Sequence, residues 1–428
     1  MKELSDEALK ALQQLIAIDT SYPNTEWEAL LFLESTAKKE GLFTRLRETA
    51  PGRGNLDIYL NKKNAPKLIL LSHVDVVPAV KEEWTYPPFS GEIHNDWMWG
   101  RGTIDTKQLS IIHLFTLIHF KRTGVDRPIQ MLVTSDEERG SKEGLLRYIE
   151  EEPDVFQGMP VLNEGGGFPI VINGNVFHLV ELGQKGVARI RIRISNYPSA
   201  NPYMPNHEAL FEMTEALRRL DRMKESELLP ETVSQMFKII AEVSQSAFEP
   251  SEPGKFIDTQ MPKSLKRMMR AMTKTTFSVT QLRAGKQLDV LEGGYEVMID
   301  CRMLPAVTYD VLESHLETVM EGLNGSCEIL SFSGGYESKI EETKLEIVEK
   351  VLQEDCPSHR IVPYLSIGSS DGRHIAPLGA QVLGYCPVDT DMPFDEVIKL
   401  VHGVDERISI HSFELGLKQM TKLLKKLV

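Results

Sequence analysis

A chain of 428 residues is longer than one ordinary hydrophobic core, so two or three domains are expected. With 41% hydrophobic and 26% charged residues, the composition is that of a globular protein, not a disordered or fibrous one. A formal net charge of −14 argues against a broad surface for nucleic acid or anionic membrane.

Residues 1–20 hold no long apolar run. They read as an amphipathic helix near 6–18, with Leu9, Leu12, Leu15 and Ile16 on one face and Ser5 or Asp6 as N-cap. This argues against a conventional signal peptide, and no later segment reaches the length of a membrane span. An apolar strand at 67–72, a helix near 106–121 and strands at 129–134 and 160–163 follow, the alternation of a buried, largely parallel sheet. Near Gly186 the pattern changes. In "VARIRIRI", Arg189, Arg191 and Arg193 face one way and Ile190, Ile192 and Ile194 the other, as on a half-exposed antiparallel strand. A helix around 207–221, strands near 277–282 and over "YEVMIDCR", a helix at 309–323 and a strand at 326–332 complete a ferredoxin-like β-α-β-β-α-β order. From about 338 long helices and apolar strands return. The expected organisation is therefore an α/β domain over about 1–186 and 338–428, with a second domain inserted at about 187–337.

Within the insert, residues 223–275 are extra. "MPKSLKRMMRAMTK" sets Met261, Leu265, Met268, Met269 and Met272 at helical spacing among Lys263, Lys266, Arg267 and Arg270. Such a helix can bind a membrane or an acidic partner; packing its Met stripe against the insert is the simpler expectation. Cys301, Cys327, Cys356 and Cys386 lack metal-binding spacing and read as reduced core thiols of a cytoplasmic protein.

Chemistry-bearing residues gather at strand ends. In "LILLSHVDVVP", His73 and Asp75 are two apart, so on a strand they share a face, and a carboxylate beside an imidazole fixes its tautomer. In "MWGRGTIDTKQ", Asp105 precedes a helical run and reads equally as its N-cap. "PIQMLVTSDEERG" ends an apolar strand in three adjacent acids, Asp136, Glu137 and Glu138. In "VLNEGGG", Glu164 is followed by glycines that permit a close backbone approach, and "LVHGVDERI" places His402 after an apolar run. Emerging at one sheet edge, His73, Asp105, Glu164, His402 and an acid of the triplet make a set of N and O ligands. Zinc accepts such mixtures, and paired ions about 3.5–4 Å apart share a bridging carboxylate. Two divalent cations would neutralise the acidic cluster.

With these motifs in hand, the chain resembles the co-catalytic zinc aminoacylase/carboxypeptidase family, which includes carboxypeptidase G, acetylornithine deacetylase and succinyl-diaminopimelate desuccinylase. The resemblance rests on "SHVDVVP", "WTYPPFSG", "GRGTIDTK", "SDEERGS", "NEGGG", "GSSDGR" and "HGVDERI", in the family's order across nearly the whole chain. It implies a zinc-exopeptidase-like mixed sheet flanked by helices, with an inserted ferredoxin-like α+β lid. His73 would bind one metal and His402 the other, and Asp105 would bridge them. Glu164 would complete the first ion's ligands and Glu138 the second's. Asp75 would support His73, Glu137 would act as general base on the attacking water, and Asp136 would hold the turn. The ions would be zinc, with cobalt or manganese as alternatives. Arg373 in "GSSDGRHIA" would grip the substrate's free carboxylate through two parallel hydrogen bonds. Glu at 164 goes in this family with deacylases and carboxypeptidases, and Asp there with aminopeptidases and dipeptidases.

Two positions depart from the family. Its Gly-His-Ser/Ala-Ser-x-Pro motif, whose His reaches the scissile carbonyl and often comes from a partner subunit, is missing from "ISNYPSANPYMPNHEAL". Pro198, Ser199 or Ala200 occupies the region, and Asn201, Tyr203 or His207 are the nearby substitutes. Asp289 stands where Asn is common. The expected function is two-metal hydrolysis of an N-acyl amino acid or a C-terminal peptide bond, with small-molecule substrates, no nucleic-acid or membrane partner, and a homodimer as one assembly. A dipeptidase or aminopeptidase of the same family is the alternative, and a non-catalytic binding protein a more distant one.

Overall fold

The computed structural model describes residues 1–61, 64–195, 208–222, 229–284 and 294–427. A ten-stranded mixed sheet organises most of them. The Leu68–His73 strand lies between Ile129–Thr134 and Pro160–Asn163, parallel to both, and Pro160–Asn163 is parallel to Gln381–Gly384. Strand periodicity sends Leu68 and Leu70 into one core and Ile69 and Leu71 into the other. Burial on both faces is why these runs are apolar throughout instead of alternating. The helices Lys2–Ala17, Lys107–Thr123 and Ile410–Leu427 pack over the first face, and Tyr148 and Phe156 close the second.

The first helix begins at Lys2 with Met1 as its N-cap, a turn earlier than its sequence suggests. Leu4 is already buried, so the apolar face starts there, and the Ser5 hydroxyl reaches Glu414 instead of capping. The antiparallel hairpin Phe43–Ala50 and Arg53–Tyr59, which the apolar periodicity does not single out, extends the sheet beside Ile129–Thr134.

A separate four-stranded antiparallel sheet has the spatial order Thr276–Ala284, Tyr295–Met303, Gly186–Ile194, Gly325–Ser333. With helices Glu208–Asp221 and Tyr309–Met320 on one face, this is the expected ferredoxin-like arrangement. Ile190, Ile192 and Ile194 are buried beneath the helices. Arg191 and Arg193 face the other way and pair across the strands with Glu328 and Glu296. The extra segment forms helices Glu231–Val243, Pro253–Gln260 and Lys266–Met272. Its Met stripe is buried, though not against the insert's own sheet as expected: Met261, Leu265, Met268, Met269 and Met272 pack with Phe177, Leu179 and Tyr364 of the large sheet.

Candidate active site

The ends of parallel strands bring the motifs together. His73 is the last residue of its strand, Glu164 directly follows Asn163, and Glu137 and Glu138 follow the strand that ends at Thr134. Carboxyl ends of parallel strands in such sheets are where ligands bind. Asp105 lies just before helix Lys107–Thr123, whose N-cap is Thr106, so Asp105 is not the cap. His402 follows helix Phe394–Leu400 in a left-handed turn, φ 58°.

Two triads share one carboxylate. His73, Asp105 and Glu164 form the first, Asp105, Glu138 and His402 the second, with ligand atoms in each within 4.8 Å of one another. The two oxygens of Asp105 divide between them: Oδ1 is 3.3 Å from His73 Nε2, and Oδ2 is 3.1 Å from His402 Nε2. His73 Nε2 also lies 3.6 Å from Glu164, and His402 Nε2 3.1 Å from Glu138.

Asp75 does more than steady His73. Nδ1 of that ring donates to the Asp75 main-chain carbonyl at 3.0 Å, which turns Nε2 toward the carboxylates and makes it the nitrogen that would offer a lone pair to a metal. The Asp75 carboxylate accepts the main-chain N–H groups of Glu137 (3.1 Å) and Glu138 (3.0 Å), so it anchors the acidic turn as well. Asp136, at φ 66°, accepts the Glu143 N–H through its side chain and the Ser141 N–H through its carbonyl, the geometry of a turn-holder. Glu137 is buried, and its Oε1 has no hydrogen bond; Arg373 Nη2 stands 3.6 Å away.

The charges report strain that a cation would relieve. Hydrogen bonds that its ring donates to the Asp105 and Glu138 carboxylates lift the pKa of His402 to about 10. Burial opposes charge on His73, yet Glu164, Asp105 and Asp75 raise it well above its ordinary value. Burial pushes Asp105 up, but both imidazoles overcome it and hold the carboxyl below its usual range. Burial raises Glu138, Glu164 and Glu137. Without a metal, protons on imidazoles thus balance the carboxylates. Together with the buried, unbonded His73 Nε2, this donor set fits a pair of divalent ions.

Several supporting residues escape the motif reading. Glu406 is fully buried against Arg101 at 2.6 Å. Its Oε1 accepts the main-chain N–H groups of Gly102, Ile104 and Asp105 at 3.1, 2.7 and 3.1 Å, so it fixes the loop that presents Asp105. Glu406→Gln would set an amide against the guanidinium or those N–H groups. Zinc affinity, titrated against a competing chelator, should fall about 10–100-fold, the usual cost of losing such an outer partner; unchanged affinity would contradict this role. Asn163 and Gln184 both donate to Ser370 Oγ, and Thr134 and Ser141 donate to Asp371. These bonds tie the segment bearing Arg373 to the strand ends bearing Glu137 and Glu164. Asn163, Ser141, Ser370, Asp371 and Glu406 stand inside the quoted motifs, but only contact across the fold reveals these roles.

The glycines after Glu164 serve packing. A Cβ at Gly166 would lie 2.1 Å from the Gly384 carbonyl, and one at Gly167 2.0 Å from the Cys386 carbonyl. The close approach anticipated there is to neighbouring main chain. Asn201, Tyr203, His207 and Asp289, with Pro198, Ser199 and Ala200, lie outside the described residues.

Residues 69–426 match peptidase family M20/M25/M40. The chain belongs to this family. It is similar to a probable carboxypeptidase S-like 2 of Dictyostelium discoideum, 24% identical over 81% of this chain and 69% of the relative. It is also similar to an N-fatty-acyl-amino acid synthase/hydrolase of Danio rerio, 24% identical over 96% of this chain and 79% of the relative. Among solved structures, the metallo-carboxypeptidase Sso-CP2 of Sulfolobus solfataricus shares the fold with a TM-score of 0.71 and 20% identity, covering 98% of this chain and 99% of that one. As an M20 member the protein is a metal-dependent hydrolase of the peptidase/aminoacylase type.

Proposed function

We propose that this M20 hydrolase cleaves the amide bond of N-acyl amino acids, or a C-terminal peptide bond, at two divalent ions. His73, Asp105 and Glu164 would hold one ion, and Asp105, Glu138 and His402 the other. Zinc suits these donors, with cobalt or manganese as substitutes. When bound, such ions polarise a carbonyl and can lower the pKa of water from about 15.7 toward about 7.

The observation that carries the reading is Arg373 beside Glu137 on the wall of one cavity of about 1160 Å³. A substrate carboxylate gripped by that guanidinium sets the adjacent amide next to Glu137 Oε1. That oxygen is free of hydrogen bonds, and burial raises its affinity for protons, so it can take one from the attacking water and return it to the leaving amine. Leu109, Ile112, Met392, Phe394 and Val397 give the cavity an apolar wall suited to an acyl group.

A dipeptidase would need a fixed negative charge for the substrate's ammonium. Beyond the acids already assigned, the described lining offers Glu181, which burial pushes up to about 8. Burial thus works against a fixed negative charge there, which favours the acyl reading. The reading includes the inserted domain at about 187–337 and a cytoplasmic location. In support of the latter, no described helix is long and apolar enough to cross a membrane, and Cys327, Cys356 and Cys386 form no disulfide.

The test is a comparison of N-acyl amino acids with their carboxamides on metal-loaded protein, following amine release. The free acids should be the better substrates, and Arg373→Ala should narrow the difference by about 10–150-fold, since a charged hydrogen-bonded contact is worth roughly 1.5–3 kcal/mol. Efficient cleavage of aminoacyl amides with N-acyl amino acids untouched would overturn the reading in favour of an aminopeptidase.

A further inference from the structure

The basic helix of the extra segment has a second face. Its methionines are in the core, and Lys185 Nζ fixes its far end by donating to the Ala271 and Lys274 carbonyls at 2.9 and 2.7 Å. Arg267 and Arg270, three residues apart, therefore project from the same side of a rigidly seated helix. With Lys274 and Arg302 they line the cavity that holds the two triads.

Charge in this cavity is segregated. Its acids are Asp105, Glu137, Glu138 and Glu164 at the triads, and Glu181, which is hydrogen-bonded to Gln184. Apart from Arg373 and the triad imidazole of His402, its basic groups lie on the side of the extra segment and the small sheet. Asp258 offsets Arg270 and Asp300 offsets Arg302. Arg267 and Lys274 have no side-chain partner among the described residues. On a chain of net charge −14, two uncompensated cations at the rim of the substrate cavity create a local site for an anion that the protein as a whole would repel.

We propose that this rim is a second anion subsite: a substrate whose α-carboxylate lies on Arg373 presents another carboxylate to Arg267 and Lys274. The inference rests on the N-acyl amino acid reading and narrows it to dianionic substrates. The second carboxylate belongs either to an acidic amino-acid side chain or to the far end of a dicarboxylic acyl group.

Two matched pairs distinguish these sources. N-acetylglutamate is compared with N-acetylglutamine, and N-succinylalanine with N-succinamoylalanine. Both kcat/KM and calorimetric affinity are measured for metal-loaded protein. The acid of one pair should be preferred about tenfold or more at low salt, the worth of one charge-assisted contact, and added salt should weaken the preference. In the double variant Arg267→Glu with Lys274→Glu, confirmed to retain its metal stoichiometry, the preference should reverse. If that variant does not fold, Arg267→Gln with Lys274→Gln should abolish the preference. Equal binding of acid and amide in both pairs would overturn the subsite, as would a preference that survives the double substitution. Selective binding without turnover would uphold the subsite and sink the hydrolytic reading. Turnover without selectivity would do the opposite.

Discussion

Glu137→Ala is expected to lower turnover by about 10²–10⁴-fold, the usual contribution of a positioned general base, while fold and metal content stay as they were. The geometry separates these effects. Glu137 Oε1 makes no hydrogen bond, and the side chain belongs to neither triad. Burial disfavours its charge, so removing it relieves a desolvation cost and breaks no hydrogen bond at that oxygen. Its main-chain N–H, the bond that orders the turn, still reaches Asp75 in the alanine variant. Glu138→Ala, one residue on, should behave differently, because its carboxylate faces His402 and Asp105. It should cost one ion. Turnover on a good N-acyl amino acid and elemental analysis of both variants check this, and the reverse pattern would show that the roles of the adjacent acids have been exchanged.

The second large effect is metal removal. Protein saturated with zinc and freed of loose metal should hold two ions per chain, and a strong chelator should abolish activity, restored on adding metal back. A stoichiometry of one or none would refute the two-metal reading. Asp105→Ala should be the most damaging ligand substitution, since its two oxygens face different imidazoles and its loss weakens both positions at once. Binding should also release protons. In the metal-free site His402, lifted to about 10, and His73, raised well above its ordinary value, are protonated at neutral pH, and a ligating imidazole must be neutral. The affinity should therefore fall as the pH falls. Calorimetry in buffers of different ionisation enthalpy measures the protons released, and no release would contradict the charge state described for the empty triads.

How much of this was legible in sequence differs residue by residue. The apolar runs that end in His73, in the acids after Thr134 and in Glu164 announce buried parallel strands. A chain carrying them has little freedom about which ends carry the chemistry. The alternation of Arg189 to Ile194 likewise announces a sheet with one wet face, and it has one. Such patterns are local. Periods of 2 and 3.6 are properties of backbone geometry, so a short window suffices to read them.

What surrounds the site was decided by tertiary structure alone. Asp105 reads in sequence as an N-cap, but the fold gave the cap to Thr106 and set His73 and His402 on the two sides of Asp105. Glu406, 301 residues from Asp105, became a support for that loop only when the chain brought it there. Asp75 reads as a partner for His73, but its carboxylate turned out to hold two amides of the acidic turn. The Met-rich helix kept both of its options in sequence; burial of the methionines against Phe177 and Tyr364 settled which face is core and left its arginines on the cavity wall. The physical reason is common to all four cases. A strand or helix is specified by neighbours along the chain, whereas a hydrogen bond, an ion pair or a cavity wall is specified by atoms that only packing brings together.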